Sequence, residues 1–562
     1  MMVQKEKLKK SVDRLLSRDD VRLTREQVND YLSSGKWSDV SFVDYLEQHA
    51  KNKPDFPAII DESGMVTTYS EYNDYTDRFA LALLELGINA GDRIAIQLPN
   101  CSEFILSLMG AAKVSILPVL CHMPYMEHDL DYVFSLTEAK AIVVMDKFRN
   151  RNYLEMIRKL KERHGCLEHI IVVSEQRYEG TINFYDLINK KFELPDPRLD
   201  ELRPVGTDPF VLMFTSGTTG KPKAIMHLHT NNIYWINILN KILQFPEGGK
   251  WLVVPPLAHL TALGLGVLRS LYNGGTIILL SSWDVKKAVD LIESEKPSYF
   301  LGAAPMLIDL ARLDGVDERD LSSIQGIVYA GSTCPIDILK RLSTQIGCEI
   351  YAFYGYSEAG LTHCTRAGDD IQITSTSFGK LADGLEAKII DELGNELQAP
   401  CEGELLVRGA NFIPGYYRQP ENNHLRFDDD GWFHSADIVR MDENGYCTFV
   451  SRKDDLINRG GYKIDPREIE EALYTHPLIS QVAVVAMPDE RLGQRAAAFV
   501  ILKDPLKSLT LEDIKNFLAE KGINKQHWPE AVKVVDSFPM TSTGKIQRFA
   551  LREQAKDLKP ER

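Results

Sequence analysis

None of the eight cysteines (Cys101, Cys121, Cys166, Cys334, Cys348, Cys364, Cys401, Cys447) falls in a CxxC pair or at a metal-ligand spacing. That excludes a disulfide-stapled scaffold and a thiolate metal module, and predicts unpaired thiols in a reducing compartment. There is no basic excess either. Asp and Glu number 80 against 65 Lys and Arg, a net charge of −15. Such a field does not suit nucleic acid or an anionic membrane, so any anion must be held by a local cluster. Long uninterrupted apolar runs are also missing. The stretch from Trp251 to Leu268 contains Pro255, Pro256 and His259 and is followed by Arg269. Those residues predict a buried segment rather than an integral membrane span. The opening MMVQKEKLKKSVDRLL has no apolar signal-peptide core, which predicts a cytoplasmic location. No internal repeat or low-complexity segment is present. What remains is a chain of 562 residues, 44% hydrophobic and 26% charged, the balance of a soluble globular enzyme. Its length predicts a large domain plus a smaller one.

From about residue 64 the pattern alternates between strand and helix. Ser70 is placed to cap a helix with Phe79, Leu83 and Leu86 on its apolar face, stopped at Gly87. RIAIQL (93–98) reads as a strand, SEFILSLMGAAK (102–113) as a helix and VSILPVL (114–120) as another strand. That rhythm predicts an α/β fold of parallel βαβ units running to about residue 350. Short glycine-punctuated strands follow, such as ELLVRGANFIPGYY and GYCTFVSR, predicting a barrel-like or antiparallel subregion. After Arg452 comes KDDLINRGGYKI (453–464), a linker or exposed hairpin, and then a compact α+β unit. The expected division is an N-terminal extension (1–38), a large domain (39–452) and a small, mobile C-terminal lid domain (453–562), with a hinge near 452–455.

The strongest local signal is TSGTTGKPK, Thr215 to Lys223, directly after the apolar run PFVLMF. Its glycines, Gly217 and Gly220, let backbone N–H groups approach an anion. Its hydroxyls, Thr215, Ser216, Thr218 and Thr219, add donors, and Lys221 and Lys223 add positive charge. The string lacks the Walker A pattern: only two residues separate the glycines, and Pro222 follows Lys221. It predicts a phosphate-binding loop of another kind.

With four further motifs in order, the chain resembles the adenylate-forming superfamily: acyl- and aryl-CoA synthetases, peptide-synthetase adenylation domains and firefly luciferase. The motifs are YGYSEAG (354–360), GWFHSAD (431–437), SRKDDLINRGGYKI (451–464) and PMTSTGKIQR (539–548). The resemblance covers about residues 40 to 550. It assigns the loop 215–223 to the β- and γ-phosphates of ATP, Tyr354 to stacking on adenine, Ser357 to the α-phosphate, and Glu358 with Thr218 to Mg²⁺. A carboxylate is the donor that a hard divalent cation prefers. Asp437 is implied to accept both ribose hydroxyls, Arg452 to add a ribose or phosphate contact, and Gly331 to lie beside the adenine. Lys545 is implied to be the catalytic lysine. Asp454 matches the hinge position, Gly460 and Gly461 the pantetheine channel, and Lys463 a nearby cation facing phosphate.

The resemblance thus implies an acid–thiol ligase. A carboxylic acid attacks ATP to give acyl-AMP and pyrophosphate, and coenzyme A then takes the acyl group. No Ser/His/Asp constellation is present, and little proton transfer is needed. The acid is expected to be medium-chain, branched, alicyclic or aromatic. Leu260, after His259 in the implied acyl pocket, cannot hydrogen-bond a phenol, which argues against a hydroxybenzoate. Gly355 stands where acetyl-CoA synthetases carry a tryptophan that closes the pocket, so a wider pocket is expected. Transfer to a separate carrier protein and a non-catalytic nucleotide-binding role are the alternatives.

Overall fold

The computed structural model describes residues 2–215, 222–243, 246–331, 333–453, 455–460, 462–540 and 546–560. The strand–helix alternation builds two twisted sheets. In one, parallel strands Pro57–Ile60, Thr276–Leu279, Lys250–Val253, Tyr299–Ala303, Gly326–Ala330 and Glu349–Tyr356 lie side by side. It has antiparallel edges at Val66–Thr68 and at Gly360–Cys364 with Lys380–Leu381. The other is parallel through Arg93–Gln97, Leu117–Leu120, Ala141–Met145, His169–Val173, Ile182–Asn183 and Pro209–Thr215 and antiparallel at Lys223–Leu228 and Gly415–Tyr416. These strands read as continuous Val/Ile/Leu runs because both faces are covered.

Helices Tyr69–Glu85, Ser102–Lys113 and His229–Leu243 contribute to one apolar cluster that takes residues from both sheets. The close approach of the first two is set at Gly110, where a Cβ would meet Phe79 Cδ1 at 2.8 Å. The first helix is capped two residues earlier than Ser70 suggests. Thr68 is its N-cap: its hydroxyl accepts the Glu71 N–H at 3.2 Å, and the Glu71 carboxylate accepts the Thr68 N–H at 2.8 Å. That reciprocal pair is a capping box, which satisfies two otherwise orphaned donors and outcompetes a cap at Ser70.

The glycine-punctuated region folds as an antiparallel sheet of Glu386–Ile390, Cys401–Arg408, Phe433–Met441 and Cys447–Arg452. A further sheet contains Tyr462–Ile464, Ile457–Arg459, Gly493–Leu502, Ile479–Asp489 and Ala531–Val534, with its own apolar cluster and helices Pro466–Tyr474 and Leu511–Glu520. Arg467, at the start of the first of these helices, donates to the Val450 carbonyl at 3.1 Å. All eight cysteines are free thiols. The Trp251–Leu268 stretch is buried apart from Pro256, His259 and Thr261, and contains a strand (Lys250–Val253) and a π-helix (Thr261–Leu268). Among the described residues, no helix is long and apolar enough to cross a membrane.

Candidate active site

The segment Tyr354–Gly360 leaves the end of a parallel strand and turns into the antiparallel strand Gly360–Cys364. Its first residue is Tyr354. Its ring is stacked on Phe378, with centroids 3.9 Å apart and planes 16° from parallel, and meets Tyr356 and His363 edge-on. The Tyr354 hydroxyl donates to the Asp437 carboxylate and lies 2.8 Å from the Tyr356 hydroxyl. Burial pushes both phenols well above their ordinary pKa, so both stay protonated donors.

Asp437 and Arg452 are register partners on adjacent antiparallel strands, and they form an ion pair with Arg452 Nε 2.7 Å from Asp437 Oδ1. Directly opposed charges on one sheet face are within reach of each other by geometry alone. Ala436, just before Asp437, has φ +60°, a left-handed conformation that a residue with a Cβ rarely adopts. It is held there by Lys453 N–H, which donates to the Ala436 carbonyl at 2.8 Å. Strain of this kind, costing about 1–3 kcal/mol, clusters at functional positions.

The other end of the segment is Glu358. Its side chain is buried, and the Tyr416 hydroxyl donates to its Oε1 at 2.8 Å. Lys223 is buried at the first position of strand Lys223–Leu228, opposite Thr215, with its ammonium 5.5 Å from the Tyr416 ring centroid. Tyr416 therefore touches both the carboxylate and the lysine. The turn itself is pinned by groups that carry no motif. His227 Nε2 lies 2.9 Å from the Ser357 carbonyl. Asn411 donates to the carbonyls of Ala359 at 3.1 Å and Leu361 at 2.8 Å, and Ile413 N–H donates to that of Glu358 at 2.8 Å. Each of these bonds gives a partner to a backbone carbonyl of the turn or of the strand that follows it.

Burial lowers the pKa of His122 and His227 to about 4 and of His229 and His363 to about 3. His227 is accordingly neutral, and it donates from Nε2 to Ser357. The pH consequence follows from linkage. Unfolded histidines titrate near 6.5, so below that pH the unfolded chain binds more protons than the folded one and stability falls. The stabilising contribution is complete above about 6.5 and is lost as pH falls toward the folded values. Each histidine costs about 1.4 kcal/mol per pH unit inside this window. The urea midpoint should therefore drop markedly between pH 7 and pH 5. An unchanged midpoint would show that these rings are not buried neutral.

His259 precedes the π-helix. Its Nδ1 accepts the Thr261 N–H at 3.2 Å, and its ring lies 6.4 Å from that of His122. Behind this wall stands Trp235, 1% exposed, clamped between two glycines. A Cβ at Gly264 or at Gly360 would overlap its indole. Gly355 has a different reason to be glycine from the one its sequence context suggests. A Cβ there would overlap the Gly360 carbonyl oxygen, so a tryptophan at 355 would break the turn rather than resize a pocket. We propose instead that Trp235 is the side chain whose size limits the acid. Trp235→Ala is expected to move acid preference toward longer chains by several-fold per carbon, at ~0.8 kcal/mol per methylene. AMP release from butyrate to dodecanoate measures it, and an unchanged ranking would remove Trp235 from the acid site.

Gly331 ends strand Gly326–Ala330 with φ +94°. Gly460, at φ +62°, donates its N–H to the Leu492 carbonyl at 2.7 Å. Ser216, Gly217, Thr218, Thr219, Gly220, Lys221, Asp454, Gly461 and Lys545 lie outside the described residues, as does the side chain of Lys463. The flanks of the segment carrying Lys545 are described. Met540 and Ile546 bridge each other, and Arg548 grips the Glu470 carboxylate with two bonds of 2.7 Å. The structure thus brings together Tyr354, Ser357, Glu358, Asp437, Arg452 and Lys223. His227, Trp235, Asn411, Tyr416 and Ala436 were not singled out by motif.

A site of this form, on two parallel sheets with an appended α+β unit, belongs to the adenylate-forming enzymes. Residues 46–417 match the model of the AMP-binding enzyme family and residues 468–545 that of the AMP-binding enzyme C-terminal domain. The chain belongs to that family and is an adenylate-forming ligase. It is 32% identical to the medium-chain fatty-acid–CoA ligase of Escherichia coli (strain K12), over 93% of this chain and 92% of that protein. It is 31% identical to the 2,3-dihydroxybenzoate-AMP ligase of Bacillus subtilis (strain 168), over 94% and 96%. The crystal structure of the anthranilate CoA ligase AuaEII with anthranoyl-AMP superposes with a TM-score of 0.79 at 26% identity, covering 92% of this chain and 97% of that one.

Proposed function

We propose that the chain is an AMP-forming acid–CoA ligase acting on a medium-chain, branched, alicyclic or aromatic monocarboxylic acid. The observation that carries this is the single segment Tyr354–Gly360, with a sugar-reading carboxylate at one end and a carboxylate–tyrosine–lysine cluster at the other. That arrangement suits a nucleotide triphosphate laid along it. Asp437 receives the ribose hydroxyls, Tyr354 stacks on adenine, and Gly331 leaves room beside the ring. Thr215, Ser216, Gly217, Thr218, Thr219, Gly220, Lys221 and Lys223 hold the β- and γ-phosphates, and Ser357 the α-phosphate.

The donor set at Glu358 fits a magnesium ion, since one buried carboxylate oriented by Tyr416 leaves the remaining positions to phosphate oxygens and water. Glu358 and Thr218 would hold the ion, which when bound neutralises phosphate charge. The chain's own residues do the rest. Lys545 and Lys223 offset the repulsion between the acid's carboxylate and the triphosphate. The carboxylate oxygen bonds to the α-phosphorus as the bond to pyrophosphate breaks. The thiol of coenzyme A, led past Gly460 and Gly461 with Lys463 on its phosphate, then bonds to the acyl carbon. AMP leaves, and the thiol proton goes to water. Arg452 and Asp454, at the joint between residues 39–452 and 453–562, permit the second step by rotation of the smaller unit.

Loading of a carrier protein in place of coenzyme A is the second reading, favoured by the likeness to a 2,3-dihydroxybenzoate-AMP ligase. AMP and thioester formation with free coenzyme A across linear, branched, alicyclic and aromatic acids tests both. Acid-dependent pyrophosphate release without thioester would favour the carrier, and no acid-dependent release at all would overturn both.

A further inference from the structure

Residues 1–38 contain none of the reaction motifs, yet they reach the phosphate end of the site through a short chain of contacts. Asp20 is buried, 1% exposed, although it lies between two helices of the N-terminal extension. Arg18 holds its carboxylate with bonds of 2.8 and 2.6 Å, and that carboxylate accepts the backbone N–H of Arg418 at 2.6 Å. Arg418 has φ +53°, so a charge-assisted bond is fixing a strained residue. The Asp20 carbonyl accepts from the Asn423 amide at 2.8 Å, and Asn423 in turn accepts the Tyr416 N–H at 3.1 Å. A Cβ at Gly415 would overlap that same Asp20 carbonyl oxygen, so the extension lies directly on the Gly415–Tyr416 strand. Arg22 completes the contact. Its N–H donates to the Pro414 carbonyl at 2.8 Å, and its guanidinium sits 3.8 Å from the Phe427 ring centroid.

From this held loop two arms reach the site. Tyr416 donates to Glu358, as described above. Gln419 accepts the Ala224 N–H at 2.8 Å and donates to the Pro222 carbonyl at 3.3 Å, at the exit of the phosphate loop. One loop therefore sets both the carboxylate and the loop exit. Its backbone is gripped by the extension at residues 18–22, while the Arg418 guanidinium donates to the Leu136 carbonyl at 3.1 Å and the Glu138 carboxylate at 2.7 Å.

We propose that Asp20, with Arg18 and Arg22, is a positioning strap for nucleotide–metal binding. It acts through the 413–423 loop to hold Tyr416 against Glu358 and Gln419 against the phosphate-loop exit. The proposal rests on the reading of Glu358 as the residue that faces magnesium and phosphate. None of the three strap residues touches a substrate, so releasing the strap should weaken Mg-ATP binding and leave the acid's KM unchanged.

The test uses the full chain and calorimetric binding of ATP with Mg²⁺ in the absence of acid, alongside KM for the acid and kcat. Asp20→Ala is expected to raise the Mg-ATP Kd by about tenfold and to raise the Mg²⁺ concentration needed at fixed ATP. Asp20→Asn keeps an acceptor for the Arg418 N–H, so it should rescue part of the loss. It also stands in should the alanine variant not fold. Tyr416→Phe alone should weaken Mg-ATP similarly, and the double variant should lose less than the product of the two factors, because both act on one contact. A fall in melting temperature with Mg-ATP Kd unchanged in both Asp20 variants would overturn the strap. So would fully multiplicative losses. Glu358→Gln separates the two readings. If it leaves Mg²⁺ dependence unchanged, the assignment of Glu358 fails. If it weakens Mg-ATP while the Asp20 variants do not, only the strap fails.

Discussion

Lys545→Ala is expected to reduce acyl-AMP formation by ~10²-fold or more, the scale on which removing one preorganised charge lowers a rate. Two anions must meet at the α-phosphorus, and the lysine of the PMTSTGKI segment is one of the two cations that the proposed mechanism brings to that encounter. The flanks of that segment are tied down. Gln547 N–H donates to the Pro539 carbonyl at 2.8 Å, and Arg548 is anchored on Glu470. The loss should therefore be one of charge rather than of folding. Thioester formation from separately supplied acyl-AMP should survive largely intact. Pyrophosphate exchange and thioester release, measured separately, check this, and equal losses in both would show that Lys545 serves both half-reactions.

Asp437→Asn should raise the KM for ATP by roughly 30- to 100-fold, the worth of a charge-assisted hydrogen bond or two at a buried carboxylate. The variant keeps the volume, so Tyr354 and Arg452 retain their packing. A sharper readout is the preference for ATP over 2′-deoxy-ATP. The native enzyme should discriminate strongly, because a site built to receive a hydroxyl is left unpaired when it is missing. In Asp437→Asn that ratio should fall toward one. If the ratio is preserved, Asp437 does not read the sugar.

The motif-bearing part of the site was legible because the chemistry is carried by short strings whose residues are neighbours in sequence. The parallel architecture was legible for a similar reason: helix Ser102–Lys113 and the strands around it are local patterns of apolar and polar residues. What could not be seen are contacts made across great sequence distance. His227 meets the Ser357 carbonyl 130 residues away, and Tyr416 meets Glu358 from 58 away. Nothing in their local spacing reports the pairing. Trp235 is another case. An indole on an apolar helix face looks like core, and only the two glycines that admit it, 264 and 360, show what it stands against. Thr68 was hidden differently. It ends a strand, Val66–Thr68, so its capping role competes with an extended reading that Ser70, one step nearer the apolar face, does not suffer.

On the proposed reading of Asp437 as the ribose acceptor, its pairing with Arg452 couples the nucleotide thermodynamically to the chain beyond residue 452. Arg452 ends its strand and leads directly into Lys453, whose N–H caps the Ala436 carbonyl beside the same carboxylate. A ribose that takes oxygens of Asp437 competes with the guanidinium holding that strand end. By reciprocity, whatever factor the sugar changes in the docking equilibrium of this strand end is the factor by which undocking changes the affinity for the sugar. An energetic exchange of this kind needs no relay of intermediate residues, because donor and competitor meet on one carboxylate.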